Sequence, residues 1–275
     1  MNIGASSSCF YPLETEKALE RVGSVGIKTT EVFFNSPSEL EPEFLKKLCE
    51  IKNRYSMDVT SVHPFMSFSE GYNIFSSYNR RFYDSLEFYK NFFEAAATLG
   101  AKYFVLHGSR GEKTISDEEY ANRLLKFIEE GETFGVHVTH ENVVRYSGET
   151  PQFMQFLRSC IGEKFKMTLD LKQARRASID PFEFVEKLGT SIAHVHVSDF
   201  SRFEDCLPPG ENGFFDFERF FEKMKSVGYD GNYIVELYRN NFKDENELKK
   251  GVEYLRCKLK HYESLERFSS EKPFG

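Results

Sequence analysis

VHVTHE, residues 136–141, alternates β-branched residues with imidazoles and ends on a carboxylate, immediately after a helical stretch that stops at Gly135. Strict alternation marks a strand, and it puts His137, Thr139 and Glu141 on one face and Val136, Val138 and His140 on the other. The second face is the more apolar and is expected to meet helices. The pattern repeats outward along the chain. DVTSVH (58–63) closes on His63, KYFVLH (102–107) on His107, FKMTLD (165–170) on Asp170 and NYIVE (232–236) on Glu236, while IAHVHVSD (192–199) carries His194 and His196. Six of the seven histidines fall in such runs, and a parallel barrel is the architecture that brings the C-terminal ends of its strands to one mouth.

Eight strands are expected, over 2–6, 29–34, 59–63, 102–107, 137–141, 166–170, 192–198 and 233–237. Between and after them lie amphipathic stretches at 14–26, 41–55, 80–100, 116–135, 150–160, 180–189, 216–228 and 244–262, several opening on Ser, Thr or Asp and closing on Gly. Strand and helix in alternation imply an α/β fold, and a (β/α)8 TIM barrel forming one domain over residues 1–275 is the simplest closure. A doubly wound sheet would carry G-x-G-x-x-G after its first strand, and GASSS (4–8) does not match. Two connections, 64–80 and 199–215, are long for this fold. Both follow strand ends, and both are expected to overhang the mouth as a lid or pocket wall.

The 275 residues hold 36 Lys and Arg against 43 Asp and Glu, a net charge of −7, which offers no general attraction to a phosphate backbone. Five cysteines (Cys9, Cys49, Cys160, Cys206, Cys257) form an odd, scattered set without a C-x-x-C pair, as reduced thiols in a cytoplasmic protein would. MNIGASSSCFYPL has no basic segment leading into an apolar one, and no run reaches 18 apolar residues, so neither secretion nor membrane insertion is expected.

Glu141, Asp170, His196 and Glu236 together offer three carboxylates and one imidazole, a donor set suited to Mn, Mg or Co at least as well as to Zn. His194 shares the face of His196 and is expected one layer deeper. His63 and His107 are open to two roles, substrate contact or ligands of a second ion bridged by Glu141. Glu31 is expected to orient one of those two imidazoles. His140 reads as a packed core histidine and His261, in the last helix, as exposed. Lys172 and Arg239 follow strand ends, where they would contact a hydroxyl, carboxylate or phosphate or else form surface salt bridges. Arg175 and Arg176 read as a solvated pair.

In HENV (140–143), LDLKQARRAS (169–178), HVHVSD (194–199), PPGENGFFDF (208–217), GYDGNYIVELY (228–238) and the shorter HPF and LHG, the chain resembles the xylose-isomerase-like TIM barrel superfamily over roughly residues 2 to 262. That superfamily unites sugar and sugar phosphate isomerases and epimerases with metal-dependent apurinic endonucleases. The ketose 3-epimerase branch implies one divalent ion on Glu141, Asp170, His196 and Glu236, with Glu141 and Glu236 as the acid and base of a reaction through an enediolate. The endonuclease branch implies further metal on His63 and His107, and it requires a histidine where Gln173 stands and an Asp-x-His in 199–215, which contains no histidine.

The resemblance therefore implies an isomerase or epimerase of a sugar, polyol or sugar phosphate that depends on a divalent ion (Mn, Mg, Co or Zn), with a second ion as an open alternative. Phe65, Phe68 and Tyr72 would then stack on the sugar or shield the enediolate, unless they belong to the core. A small sugar is the expected partner, with nucleic acid and membrane disfavoured and a homodimer suggested. Two alternatives remain: an endonuclease or phosphodiesterase of the same superfamily, and a non-catalytic sugar-binding barrel.

Overall fold

The eight β-branched runs pair in chain order. A computed structural model, describing residues 1–210 and 213–270 and side chains as far as residue 262, closes them into one parallel barrel. The strands are β1 (Ile3–Ser6), β2 (Thr29–Phe33), β3 (Asp58–His63), β4 (Tyr103–Leu106), β5 (His137–Glu141), β6 (Lys166–Asp170), β7 (Ile192–Val197) and β8 (Tyr233–Val235). Ile3 opposite Tyr233 and Gly4 opposite Ile234 seal the ring. Register then sets the heights of the polar strand ends. Glu141 lies opposite Thr168, and Asp170 opposite His196. The expected (β/α)8 barrel is therefore the observed one, with strand limits within two residues of the sequence reading.

Among the described residues ten α-helices accompany the strands: α1 (Thr15–Ser24), α2 (Pro42–Arg54), α3 (Glu70–Asn73), α4 (Asn79–Leu99), α5 (Asp117–Thr133), α6 (Pro151–Ile161), α7 (Leu171–Arg176), α8 (Pro181–Leu188), α9 (Phe217–Ser226) and α10 (Glu245–Ser270). Their ends follow local chemistry. Ser116 accepts the Glu119 N–H at 3.2 Å and Asp216 the Arg219 N–H at 3.0 Å, bonds that satisfy amides the first turn leaves unpaired. α9 buries Phe217, Phe220, Phe221 and Met224, spaced as one helical stripe. Phe104 on β4 packs edge-on against Phe93 at 5.2 Å and Tyr89 at 5.8 Å, both from α4. Truncating so enclosed a ring as Phe104 to alanine costs about 3–5 kcal/mol.

Two short helices escaped the sequence reading. α3 sits inside the long connection after β3, too short to show periodicity. α7 begins where Asp170 Oδ1 accepts the Gln173 N–H at 2.9 Å, and it ends before Ser178, whose φ is 57°. Among the described residues no helix is long and apolar enough to cross a membrane.

Candidate active site

β5, β6, β7 and the residue following β8 deliver Glu141, Asp170, His196 and Glu236 to one place. A donor atom from each lies within 4.8 Å of the others. His196 Nδ1 stands 3.6 Å from Glu141 Oε1, 3.8 Å from Asp170 Oδ2 and 3.7 Å from Glu236 Oε2. Three atoms of this group, Asp170 Oδ2 and His196 Nδ1 facing the shared space and Glu141 Oε2 turned toward His107, are buried without a hydrogen bond. Buried polar atoms left unpaired cost about 1–3 kcal/mol each, and a cation among them removes that cost. Ligand atoms about 2.1 Å from an ion sit roughly 3–3.5 Å apart, so the donor spacing fits a divalent ion after a small contraction.

Charge and burial compete at each ligand. Burial disfavours ionised Glu141, yet His107, His196 and His63 hold its pKa well below the carboxylate norm. Burial likewise opposes a charged His196, but Glu31 and Glu236 keep its pKa well above the imidazole norm. At Asp170 burial wins, raising the pKa despite nearby Lys172.

Asp170 is held from two sides. Its Oδ1 caps α7, which leaves Oδ2 for the cluster, and its backbone is clamped by Asn142. The Asn142 amide donates to Asp170 O at 3.0 Å and accepts from Asp170 N at 2.7 Å, fixing the end of β6 against the end of β5. Sequence reading passed over Asn142, although an amide directly after the β5 glutamate in HENV was the available signal.

The role expected of Glu31 needs correction. It contacts neither His63 nor His107. Its Oε2 accepts from His196 Nε2 at 3.0 Å, His194 Nε2 at 3.2 Å and Ser61 Oγ at 2.8 Å, and Oε1 accepts from Ser6 Oγ at 3.1 Å. β2 and β7 face each other across the lumen, so parity within one strand could not name the partner. His194 lies fully buried below His196, as its position in β7 suggested.

His63 and His107 adjoin the same cluster. His63 Nδ1 lies 3.2 Å from Pro64 O, and its Nε2 shares a hydrogen bond with His107 Nε2 at 2.8 Å. His107 Nε2 is also 2.9 Å from Glu141 Oε2. His107 is followed by Gly108, whose φ of 89° and close approach to Tyr120 and His140 leave no room for a side chain. The Gly108 N–H donates to Glu70 Oε2 at 2.6 Å. Burial keeps the Glu70 pKa well above normal, against the opposing pull of backbone N–H groups from Gly108 and His107. His140 is core, bonded to Tyr120 Oη at 2.7 Å.

A cavity of about 720 Å³ opens above the cluster, reaching His63, His107, Glu141, Lys172 and Glu236. Phe65 and Phe68 of the 64–80 connection line it. Tyr72 of the same connection stacks under Arg81, with 3.8 Å between guanidinium carbon and ring centre. From the 199–215 connection no described residue lines the cavity; Glu211 and Asn212 lie outside the described residues.

Lys172 is buried rather than on the surface. Its Nζ donates to Glu236 Oε2 at 2.8 Å and stands 3.3 Å from Asp170 Oδ2. Arg239 turns away from the cluster and donates to the carbonyls of Phe242 at 2.7 Å and Lys243 at 2.9 Å. Arg175 and Arg176 are not a solvated pair. Arg176 grips Asp205 through Nε at 2.6 Å and Nη2 at 3.0 Å and donates to Tyr238 Oη at 2.7 Å, while Arg175 lies over Phe200. The connection after β7 folds back onto α7 and gives both guanidinium groups partners.

This arrangement has counterparts. The chain is 27% identical to an uncharacterized protein of Methanocaldococcus jannaschii, covering 97% of this chain and 94% of that one. A solved D-tagatose 3-epimerase-like protein superposes with a TM-score of 0.77 at 24% identity, over 96% of this chain and 99% of its own. A solved L-ribulose 3-epimerase superposes with a TM-score of 0.80 at 17% identity, over 99% and 100%. The sequence profile of the xylose isomerase-like TIM barrel family matches residues 19–258, and the chain belongs to that family.

Proposed function

We propose that this chain is a divalent-metal-dependent isomerase or epimerase of ketose sugars. The observation that carries the reading is the convergence of Glu141, Asp170, His196 and Glu236, with Asp170 Oδ2 and His196 Nδ1 facing one buried space without a hydrogen bond. The names of the structural neighbours, a D-tagatose 3-epimerase-like protein and an L-ribulose 3-epimerase, support epimerisation over isomerisation.

A divalent ion on these four side chains would supply Lewis acidity, stabilising the negative charge that develops on a sugar carbonyl oxygen as the neighbouring C–H is deprotonated. Glu141 and Glu236 flank that space as the proton-transfer pair. One takes the proton from the carbon beside the carbonyl and the other delivers a proton to the opposite face, inverting the centre. Either is suited to start as the base, and its partner must then enter the step protonated so that it has a proton to deliver. Burial opposes their ionisation, but the histidines at Glu141 and Lys172 with His196 at Glu236 keep both pKa values low. Lys172 also fixes the Glu236 oxygen that it contacts. His63 and His107, facing the cavity, are placed to hold sugar hydroxyls.

The test combines metal analysis with solvent exchange. Purified protein is expected to hold one ion per chain, and in D₂O it should wash deuterium into a ketose beside the carbonyl, an activity lost on chelation. Glu141→Gln and Glu236→Gln should each lower exchange by about 10²–10⁴-fold. A metal-free chain inert toward every ketose would refute the reading.

One observation favours a second reading, hydrolysis of a phosphodiester at two ions. His63 Nε2, His107 Nε2 and Glu141 Oε2 form another donor triangle that shares Glu141 with the first. Two ions per chain and cleavage of abasic DNA with steep salt dependence would favour it. The net charge of −7 and Gln173 at the position needing a histidine weigh against it.

A further inference from the structure

The cavity is larger and more apolar than a free sugar requires. Its 720 Å³ or so is several times the space of a hexose and lies in the range of pockets that enclose much larger ligands. The polar groups crowd its buried end, where Glu141 is 1% exposed. Toward solvent the lining becomes aromatic: Phe33 and Phe65, then Tyr238, Tyr11 and Phe68 at 48%, 59% and 77% exposure. Tyr238 is a fixed platform, since its hydroxyl accepts from Arg176 and its ring lies 5.0 Å from Lys172 Nζ.

Charge narrows the ligand further. Among the described residues lining the cavity, Lys172 is the one lysine or arginine, and it is engaged by Glu236 and Asp170. Arg175, Arg176 and Arg239 are likewise committed, to Ser201 O, to Asp205 and to backbone carbonyls. Among the described residues of the lining no uncommitted lysine or arginine is left to receive a phosphate, and the nearby carboxylates repel one. Exposed aromatic faces around a polar floor instead suit a neutral sugar with a flat apolar group attached.

We propose that the outer half of the cavity is a subsite for an apolar or aromatic substituent, so that the substrate is a neutral ketose substituted on an oxygen remote from its carbonyl rather than a free sugar or a sugar phosphate. Remote contact of this kind contributes binding energy that can be used to orient the reacting carbon. The proposal rests on the isomerase or epimerase reading, and its test separates the two.

The probes are D-fructose 6-O-methyl ether, D-fructose 6-O-benzyl ether and D-fructose 6-phosphate, compared by deuterium incorporation beside the carbonyl. The benzyl ether should exceed the methyl ether in kcat/KM by about tenfold or more, the expected return for burying a phenyl ring, and the phosphate should be the poorest. Phe68→Ala and Tyr11→Ala, both at exposed positions that tolerate truncation, should bring the benzyl-to-methyl ratio close to one. Equal exchange of the two ethers, or preference for the phosphate, overturns the subsite and leaves the isomerase reading standing. If none of the three exchanges, calorimetry of the metal-free chain with both ethers decides. Tighter binding of the benzyl ether retains the subsite and removes the chemistry, whereas equal binding or none removes both.

Discussion

Replacing Glu31 by glutamine separates the support of the metal ligand from the ligand itself. Glu31 touches no atom of the proposed first coordination sphere except through His196, whose Nε2 donates to it at 3.0 Å while Nδ1 faces the carboxylates. Glutamine keeps the shape and one acceptor oxygen but removes the charge that makes the imidazole a stronger donor. Losing such a partner behind a ligating histidine typically weakens metal affinity by about 10–100-fold. With the ion at about 100 times its dissociation constant, binding adds about 2.7 kcal/mol of stability, and a 30-fold weaker site leaves about 0.9. The difference of about 2 kcal/mol corresponds to a drop of roughly 4 °C in the metal-loaded Tm for a chain of this size. Competition with a chelator of known affinity reads the dissociation constant, and thermal unfolding with and without EDTA reads the linked stability. The reasoning fails if affinity stays within about threefold of the parent, or if the Tm deficit is equally large in EDTA, which would make Glu31 a purely structural residue.

Asn142→Ala should destabilise the metal-free chain by about 2–4 kcal/mol in urea unfolding, because it strands the N–H and C=O of Asp170 in the interior; a change under 0.5 kcal/mol would contradict the clamp. Lys172→Met removes the cation that offsets burial at Glu236, so the Glu236 pKa rises and the acid limb of the exchange-versus-pH profile moves to higher pH; an unmoved limb would dissociate Lys172 from that carboxylate. Burial, only partly offset by the bond to Glu141 O, lowers the His140 pKa to about 4. The folded state therefore binds fewer protons than the unfolded one, and this stability is present above the unfolded value near 6.5 and lost as pH falls toward 4. Between pH 7 and pH 5 about 2 kcal/mol should disappear, a slope that His140→Gln should flatten in denaturant titrations of the metal-free chain.

The barrel was legible because most of its strands are short runs of β-branched or aromatic residues that end on or just before a polar one, and the long helices show stripes such as the one in α9. The four-residue cluster was legible for a related reason. Alternation within a strand decides which side chains enter the lumen, and closure brings strand ends together. Contacts across the lumen were beyond that logic. Glu31 meets His196 because β2 faces β7 in a closed ring, a relation set by stagger and curvature rather than by spacing along the chain. The Arg175–Arg176 pair misled for a similar reason, since a charged side chain after a strand end looks solvated until a returning connection covers it. Asn142 was visible in HENV but its task was not, because a side chain that bonds the backbone of a neighbouring strand leaves no periodic trace.

The Glu70–Gly108 contact has a practical bearing on engineering. The segment that shapes the pocket wall and the turn that presents His107 are joined by the Glu70 carboxyl and the Gly108 N–H in the buried interior. A transplant of segment 64–80 into another scaffold must therefore bring a matching glycine corner with it, or else leave an acid and an N–H stranded. Diversifying Phe65 or Phe68 in place avoids that penalty, which makes those two positions the safer library for retuning what the mouth admits.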